Sequence, residues 1–189
     1  MERPHFTLTV VTSRDGLIAR GAGDAPHLWA SAEEQALFFA DVEAADWSIL
    51  GRRTHELADR PDRRRIVFST AAAGDGDWRR PGQLWLDPGR VGPGDLACRV
   101  AGVHPLRRGV ILGGTRVHDW FLDRGAIDRV HLTVEPLEFG TGLALFSAHP
   151  GPPEAVLARL GFACTAQRQL NAAGTRHTTW VPDPDRPAA

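Results

Sequence analysis

Short runs of apolar and β-branched residues alternate with helix-forming segments along this chain of 189 residues. Residues 6–12 read Phe-Thr-Leu-Thr-Val-Val-Thr and predict a strand. Ser31, with Glu34 three residues later, predicts the capped start of a helix that runs past residue 40. The same signals predict further strands at residues 46–50, 65–69, 83–87, 109–112 and 127–134, and further helices at residues 52–57, 95–103, 115–123 and 154–160. Strands that alternate with helices predict an α/β fold with a largely parallel sheet.

The C-terminal part of the chain predicts a different element. Residues 162–170 and 175–181 flank the turn sequence Asn-Ala-Ala-Gly, which indicates an antiparallel hairpin. We therefore expect one domain over residues 1–181, a three-layer α/β sandwich whose mostly parallel, twisted sheet is closed by this hairpin. Residues 182–189 are expected to form a disordered tail.

Composition excludes several classes of chemistry. All 22 basic residues are arginine, and the chain contains no lysine and no tyrosine. A Schiff-base lysine, a P-loop lysine and a tyrosine general acid are therefore excluded. The eight histidines and two cysteines show no metal-ligand spacing, so we expect no metal.

Two predicted strands end in glycine followed by arginine and threonine. One strand end reads Gly51-Arg52-Arg53-Thr54, and the other reads Gly113-Gly114-Thr115-Arg116. Glycine lets an anion approach the backbone, and arginine and threonine side chains bind phosphate. Two such anion sites in one small domain suit a dinucleotide better than a mononucleotide. Taken singly, each sequence is more often only a tight turn.

These strand ends belong to a longer series of motifs. The series is Thr12-Ser13-Arg14-Asp15-Gly16-Leu17-Ile18-Ala19, Ile49 to Thr54, Ile66-Val67-Phe68-Ser69, Ile111 to Val117, and Ile127-Asp128-Arg129-Val130-His131-Leu132-Thr133, with Gly142, Leu145 and Phe146 after it. In this order, over residues 5–180, the motifs resemble the dihydrofolate reductase superfamily. They are most similar to the branch that contains the pyrimidine reductases of riboflavin biosynthesis (the RibD C-terminal domain).

The resemblance implies an NADPH-dependent reductase and suggests a role for each motif. It assigns the nicotinamide to the first strand and its loop, the adenosine phosphates to the Gly-Arg-x-Thr turn, the adenosine to the end of the next strand, and the pyrophosphate and ribose to the Gly-Gly turn. The implied cofactor-binding residues are Val11, Asp15, Gly16, Ile18, Gly51, Arg52, Arg53, Thr54, Ser69, Thr70, Leu112, Gly113, Gly114, Thr115, Arg116 and Val117.

The chain departs from the family pattern at the substrate side. Folate reductases carry an acidic residue on the first helix. Counting back from Gly51 places Gln35 at the equivalent position. The Glu34 side chain should then face another direction, because one residue rotates a helix by about 100°. Many pyrimidine reductases carry an acid where this chain has Arg116. The substrate is therefore left open between a pterin-like and a pyrimidine-like ring. The residues expected to contact it are Trp29, Gln35, Phe39 and Thr133.

Three residues are candidates for the proton donor that a reductase uses. They are Glu34, His118 and Glu135, and each has a plainer interpretation. Glu34 fits the capping partner of Ser31, His118 fits a packing residue on its helix, and Glu135 before a proline fits a charge in a loop.

The sequence thus predicts an oxidoreductase that uses NADPH to transfer a hydride to a planar nitrogen heterocycle. The alternative is a non-catalytic NADP(H)-binding module of the same fold. A third interpretation takes the Arg63-Arg64-Arg65 run as an interaction surface, but the net charge of −1 argues against nucleic acid. No segment of 18 apolar residues and no signal-peptide pattern occurs, so we expect a cytoplasmic protein with no membrane contact. Relatives on the pyrimidine-reductase side indicate a homodimer.

Overall fold

A computed structural model describes residues 3–185 of the chain. The strands are β1 (His5–Thr12), β2 (Leu17–Ala19), β3 (Trp47–Gly51), β4 (Arg65–Phe68), β5 (Asp77–Arg80), β6 (Gln83–Leu86), β7 (Arg108–Gly113), β8 (Arg129–Val134), β9 (Leu143–Ala144), β10 (Phe162–Gln169) and β11 (Arg176–Pro182). The α-helices are α1 (Ala32–Ala44), α2 (Arg52–Leu57), α3 (Asp95–Val100), α4 (Thr115–Leu122) and α5 (Pro153–Arg159). Two short 3₁₀ helices lie at Pro26–Leu28 and Pro88–Arg90.

Nine of these strands form one sheet in the order β10-β11-β8-β1-β7-β3-β4-β6-β5. The six central strands, from β8 to β6, are parallel, whereas β11, β10 and β5 pair antiparallel at the two sides. The remaining strands, β2 and β9, form a separate two-stranded ribbon. The predicted α/β class, the mostly parallel sheet and the C-terminal hairpin are confirmed.

Helices cover both faces of the sheet, as a three-layer sandwich requires. Phe6, Leu8 and Val10 of β1 point into the main core, where they join apolar side chains from α3, α4 and α5. The alternate residues of the sheet point the other way, because successive side chains of a strand face opposite sides. On that second face α1 and α2 pack, and His55 of α2 lies edge-on to Trp85 of β6.

Several boundaries differ from those predicted. No strand is predicted between residues 69 and 83, yet this segment contains β5, a short exposed strand whose charged residues hide the strand pattern. The helix predicted over residues 95–103 ends at Val100, and the strand predicted from residue 127 begins at Arg129. Strand β11 includes Pro182, and the N–H of Asp183 donates to the carbonyl of Gly161 at 2.8 Å. Of the predicted tail, residues 186–189 lie outside the described residues.

Within residues 3–185, no helix combines the length and the apolar character needed to span a lipid bilayer.

Candidate functional site

The two glycine-containing strand ends, Gly51 to Thr54 and Gly113 to Arg116, form two glycine corners that are neighbours at the carboxyl edge of the sheet. Strands β3 and β7 are adjacent and parallel, and Leu50 pairs with Gly113 at their ends. Beyond these ends begin α2 at Arg52 and α4 at Thr115. A side chain at Gly51 would touch the Val117 side chain at 3.4 Å, which shows how closely the two helices start. The corners therefore form one continuous surface.

The second corner contains two glycines with different surroundings. The peptide bond between Gly113 and Gly114 is cis. Gly113 has φ of +99°, and a Cβ there would lie 2.6 Å from Nε2 of His118, so only glycine fits. A Cβ on Gly114 would instead meet only Thr54 Oγ1 at 3.9 Å and Ile18 Cδ1 at 4.0 Å. Gly114, Thr54 and Ile18, predicted separately as cofactor residues, thus face one small open space.

Exposed arginines surround these corners. Arg52 has one long contact, 3.5 Å to Glu56 on the next helical turn. Within residues 3–185, the side chains of Arg53 and Arg116 make no hydrogen bond or ion pair. Exposed guanidinium groups beside an open glycine cradle are the donors that a phosphate group needs. The residues at the corners therefore fit a phosphorylated dinucleotide such as NADPH.

Other predicted cofactor residues are held by contacts within the protein. Ser69 follows β4 at the same edge, and its Oγ accepts the N–H of Ala71 at 3.3 Å, while Thr70 beside it is exposed. The hydroxyl of Thr115 donates to the carbonyl of Ala144 at 2.6 Å, which joins α4 to β9. Leu112 is half-buried in the small cluster on the second face of the sheet.

The loop between β1 and β2 is fixed by Asp15 and Gly16, and Val11 is buried at the end of β1. The Asp15 carboxylate accepts the N–H groups of Phe139 (3.2 Å) and Gly140 (2.7 Å). Partial burial tends to raise the pKa of Asp15, but these bonds and one from Ser13 bring it below its usual value. Asp15 therefore ties the β1–β2 loop to the loop that follows β8.

Trp29 lies in a surface cavity of about 440 Å³ between the loop before α1 and the loop after β8. The Trp29 ring contacts that of Phe139 edge-on, with 5.0 Å between centroids, and the Arg20 guanidinium lies 5.1 Å from the Phe139 ring. Trp29 Nε1 is buried and has no hydrogen-bond partner among the described residues. A planar ring could pack against the aromatic side chains of this cavity.

The first turn of α1 corrects the sequence-based orientation. Ser31 Oγ accepts the N–H of Glu34 at 3.3 Å, so the predicted N-cap is present. The Glu34 side chain, however, faces the interior and is only 3% exposed. Gln35, placed in the substrate position by the sequence count, instead donates to the carbonyl of Ala30 at 3.1 Å. The inward-facing acid of the first helix is thus Glu34.

Glu135 completes the cap of α1 in place of Glu34. Its Oε1 accepts the N–H of Ser31 at 2.7 Å, and its Oε2 accepts the hydroxyl of Thr175 at 2.6 Å. Glu135 is as buried as Glu34, yet both of its oxygens are satisfied. The Glu34 carboxyl has no hydrogen bond among the described residues. Burial, then the charges of Glu135 and Asp41, raise its pKa to about 7.

Two of the remaining candidates, His118 and Phe39, do not face the space next to Glu34: one is buried and the other points away. His118 is 1% exposed, and its Nδ1–H donates to the carbonyl of Leu145 at 2.9 Å. Burial lowers the pKa of His118 to about 4, so the ring is neutral and supports the Gly113 corner from below. Phe39 is 47% exposed and contacts Phe38. Five residues turn a helix by about 140° from the Glu34 direction, so Phe39 faces away from Glu34.

Sequence reasoning missed a polar network under α1. Asp41 accepts hydrogen bonds from Thr9 Oγ1 and His131 Nδ1, both at 2.7 Å. Burial alone would raise the pKa of Asp41, but these bonds lower it below its usual value. Thr133, predicted to contact substrate, lies 3.1 Å from Nδ1 of His177. The available signal was spacing, because Asp41 follows Glu34 by seven residues and lies on the same helix face.

The chain is similar to known proteins in structure but not detectably in sequence. No protein-family model and no curated protein sequence matches the chain. Its structure is similar to that of RibD from Acinetobacter baumannii, with a TM-score of 0.73 and 17% identity over 95% of this chain and 58% of that chain. It is also similar to a diaminohydroxyphosphoribosylaminopyrimidine deaminase/5-amino-6-(5-phosphoribosylamino)uracil reductase from Thermotoga maritima, with a TM-score of 0.66 and 16% identity over 95% and 57% of the two chains.

A third similar structure is matched over nearly its whole length. Dihydrofolate reductase from Enterococcus faecalis, complexed with NADP(H) and RAB-propyl, matches with a TM-score of 0.63 and 16% identity over 94% of this chain and 95% of that chain. The chain thus spans less than two thirds of the two longer proteins and nearly all of the dihydrofolate reductase. The predicted resemblance is confirmed for the fold. The chain has the dihydrofolate reductase fold. It shares this fold with part of the RibD chain.

Proposed function

We propose that this protein is an NADPH-dependent reductase that acts on a planar nitrogen heterocycle of pyrimidine or pterin type. The observation that carries the proposal is the open cradle formed by Gly114, Thr54 and Ile18, beside which the side chains of Arg53 and Arg116 have no partner among residues 3–185. Similar structures support it, since one is a uracil-derivative reductase and another is a dihydrofolate reductase complexed with NADP(H).

The cofactor would lie across the two glycine corners. Arg52, Arg53 and Thr54 would bind the phosphates of its adenosine half, and Gly113 and Gly114 would let the pyrophosphate approach the backbone. An adenosine 2′-phosphate distinguishes NADPH from NADH, and arginine is the side chain that binds such a group in a bidentate manner. The arginine-rich corner therefore favours NADPH.

The substrate ring would lie between the corners and α1, over the end of β1. Strand β1 is placed between β7, which carries the Gly-Gly corner, and β8, which leads to Glu135. Bound NADPH supplies a hydride from its nicotinamide C4 to an electrophilic carbon of the substrate. Glu34, whose carboxyl is buried and has no hydrogen-bond partner among residues 3–185, would give a proton to the adjacent ring nitrogen.

The test has a binding arm and an activity arm. Calorimetry with NADPH should show saturable binding, and a panel of oxidised pterins and aminouracils should cause NADPH oxidation, followed by the loss of absorbance at about 340 nm, the nicotinamide band of such cofactors. The variant Glu34→Gln should bind NADPH as the wild type does but lose most of the turnover, about 100-fold or more for a general acid. No heat with NADPH would refute the proposal. Binding without turnover on any ring would favour the non-catalytic module.

Location and assembly are part of the same proposal. We infer a cytoplasmic homodimer that binds a small heterocyclic substrate, on the resemblance to the pyrimidine-reductase branch. Sedimentation equilibrium tests the assembly: a mass of one 20.6 kDa chain at micromolar concentration would contradict it.

A further inference from the structure

Two buried carboxyl groups meet the first turn of α1, Glu34 as a residue of that turn and Glu135 through its hydrogen bond to Ser31, and their surroundings differ. Glu34 and Glu135 are each 3% exposed. Glu135 accepts one hydrogen bond on each oxygen, from the Ser31 N–H and the Thr175 hydroxyl. Glu34 has no hydrogen-bond donor on its carboxyl among the described residues. The two hydrogen-bond donors at this turn therefore go to Glu135.

No cation balances this pair. Within residues 3–185, neither Glu34 nor Glu135 forms an ion pair with an arginine or a histidine. A site without a counter-ion does not readily hold two adjacent carboxylates, because like charges in a buried position repel each other strongly. A negative charge at Glu135 therefore favours the protonated form of Glu34.

The other titratable side chains of α1 and of the strands beneath it are paired, neutral or exposed. Asp41 of α1 is hydrogen-bonded to His131 of β8 and to Thr9. Burial, then the nearby His131 and Arg168, lower the pKa of His177 of β11 to about 4, so its ring is neutral near pH 7. Glu33, the neighbour of Glu34, is exposed and accepts a hydrogen bond from Asn171. After burial, the largest influence on the pKa of Glu34 is the charge of Glu135, followed by that of Asp41.

We propose that Glu135 is a positioning residue that fixes the first turn of α1 and, through its own charge, keeps the proton on Glu34 near neutral pH. Glu135 does not contact the substrate in this arrangement; it is held by Ser31 and Thr175 and acts through Glu34. The hairpin turn that carries Thr175 becomes part of the site, because its hydroxyl stabilises the charge that retains the proton. This inference rests on the proposed function, in which Glu34 is the proton donor.

The test is a titration of Glu34 in the cofactor-free protein. Infrared difference spectra between acid and alkaline pH report the carbonyl stretch of a protonated carboxyl group, and the band that Glu34→Gln abolishes belongs to Glu34. In Glu135→Gln, which keeps the shape and an acceptor for Ser31, the midpoint of this band should fall by about one pH unit, a tenfold change in the protonation equilibrium. An unchanged midpoint would overturn the proposal.

Two further variants make the result specific. Glu33→Gln removes an exposed charge from the same turn and should leave the midpoint unchanged; a shift as large as that of Glu135→Gln would refute a specific role for Glu135. Thr175→Val removes one donor from Glu135 without changing the size of the side chain. It leaves the charge of Glu135 in place, so the Glu34 midpoint should change far less than in Glu135→Gln; an equal fall in both variants would refute a role for the charge. If Glu135→Gln does not fold, Glu135→Met, which also removes the charge from a side chain of similar length, replaces it, and an unchanged Glu34 midpoint there overturns the proposal.

The pH profile of turnover connects the pair to catalysis. The rate of NADPH oxidation should decline as pH rises through the Glu34 midpoint, and in Glu135→Gln this decline should begin at a pH lower by the same interval. A decline at the same pH in both proteins would contradict the role of Glu135. The two proposals fail separately: absence of NADPH binding refutes the reductase but not the carboxyl pair, whereas an unchanged titration refutes only the role of Glu135.

Discussion

Arg52 is the residue at which cofactor preference can be tested most directly. Its guanidinium is exposed, and its contact with Glu56 is 3.5 Å long, so removing it should cost little stability. Arg52→Ala should weaken NADPH binding about tenfold and leave NADH binding almost unchanged, because only NADPH carries the 2′-phosphate. Dissociation constants for both cofactors, measured by calorimetry, give the comparison.

A matched control for this substitution lies on the opposite face of the sheet. Arg159 ends α5, which packs on the main core rather than on the face covered by α2, and is also exposed. Arg159→Ala should change neither dissociation constant. An equal loss of NADPH and NADH affinity in Arg52→Ala would show that Arg52 does not recognise the 2′-phosphate.

Single residues also show where sequence reasoning stops. Ser31 was predictable as the N-cap, because its role depends only on residues three positions away. The direction of Glu34 was not, because it depends on which helix face meets the sheet. That face is polar here, formed by Glu34 and Asp41, and the usual apolar stripe gave no guide to it.

Among the connecting elements, the β1–β2 turn imposes the strictest demand on sequence. Gly16 has φ of +81°, and a Cβ there would lie 2.0 Å from the carbonyl oxygen of Gly151. The resemblance assigned Gly16 to the nicotinamide, but packing against the segment before α5 is enough to require glycine. The turn leads into β2, whose Ile18 lies beside Gly114. Strain at Gly16 should therefore reach the cofactor site.

The prediction is that Gly16→Ala destabilises the protein by about 3 kcal/mol and also weakens NADPH binding. Gly21→Ala is the matched control, since a Cβ at Gly21 meets no atom within 4 Å and its φ is not positive. That control should change stability by less than about 0.5 kcal/mol. Urea denaturation measures both variants. Equal stability of the two would show that the loop relaxes around an added methyl group.

Elements differed in how well their sequence signals survived in the structure. The C-terminal hairpin was predictable because its strands are adjacent in sequence and joined by a short turn. Strand β5 was missed because three of its four residues are charged and because it lies at the edge of the sheet, where it pairs with β6. The ribbon of β2 and β9 joins segments more than 120 residues apart, and no local pattern predicts such a pairing.

Across the whole molecule, the sequence predicted the class of fold but not the order of the strands. The alternation of strands and helices specifies a parallel sheet, since crossover connections return the chain to the same edge. The order, with β1 between β7 and β8, depends on pairings over more than 100 residues. It was nevertheless this order that brought the Gly-Gly corner, the end of β1 and Glu135 to one edge.

The free energy of unfolding should depend on pH through two buried side chains, His118 and Glu34, whose contributions change in opposite directions as the pH falls. Burial lowers the pKa of His118 from 6.5 to about 4, so in the unfolded chain this ring binds a proton at a higher pH than in the folded protein. Its contribution to stability is therefore complete above pH 6.5 and is lost as pH falls from 6.5 towards 4. Glu34, whose pKa is raised to about 7, acts in the opposite direction between pH 7 and 4.5.

Because these contributions partly cancel in the wild type, the effect of His118 appears in a comparison of variants. Between pH 7 and 5, the wild type should lose about 2 kcal/mol more unfolding free energy than His118→Gln, whatever the stability of the variant at pH 7. His5→Gln, a change at an exposed histidine, should keep the wild-type dependence. Urea denaturation at several pH values gives the slopes. Parallel slopes for the wild type and His118→Gln would mean that the ring beneath the Gly113 corner takes up its proton in the folded protein as readily as in the unfolded chain.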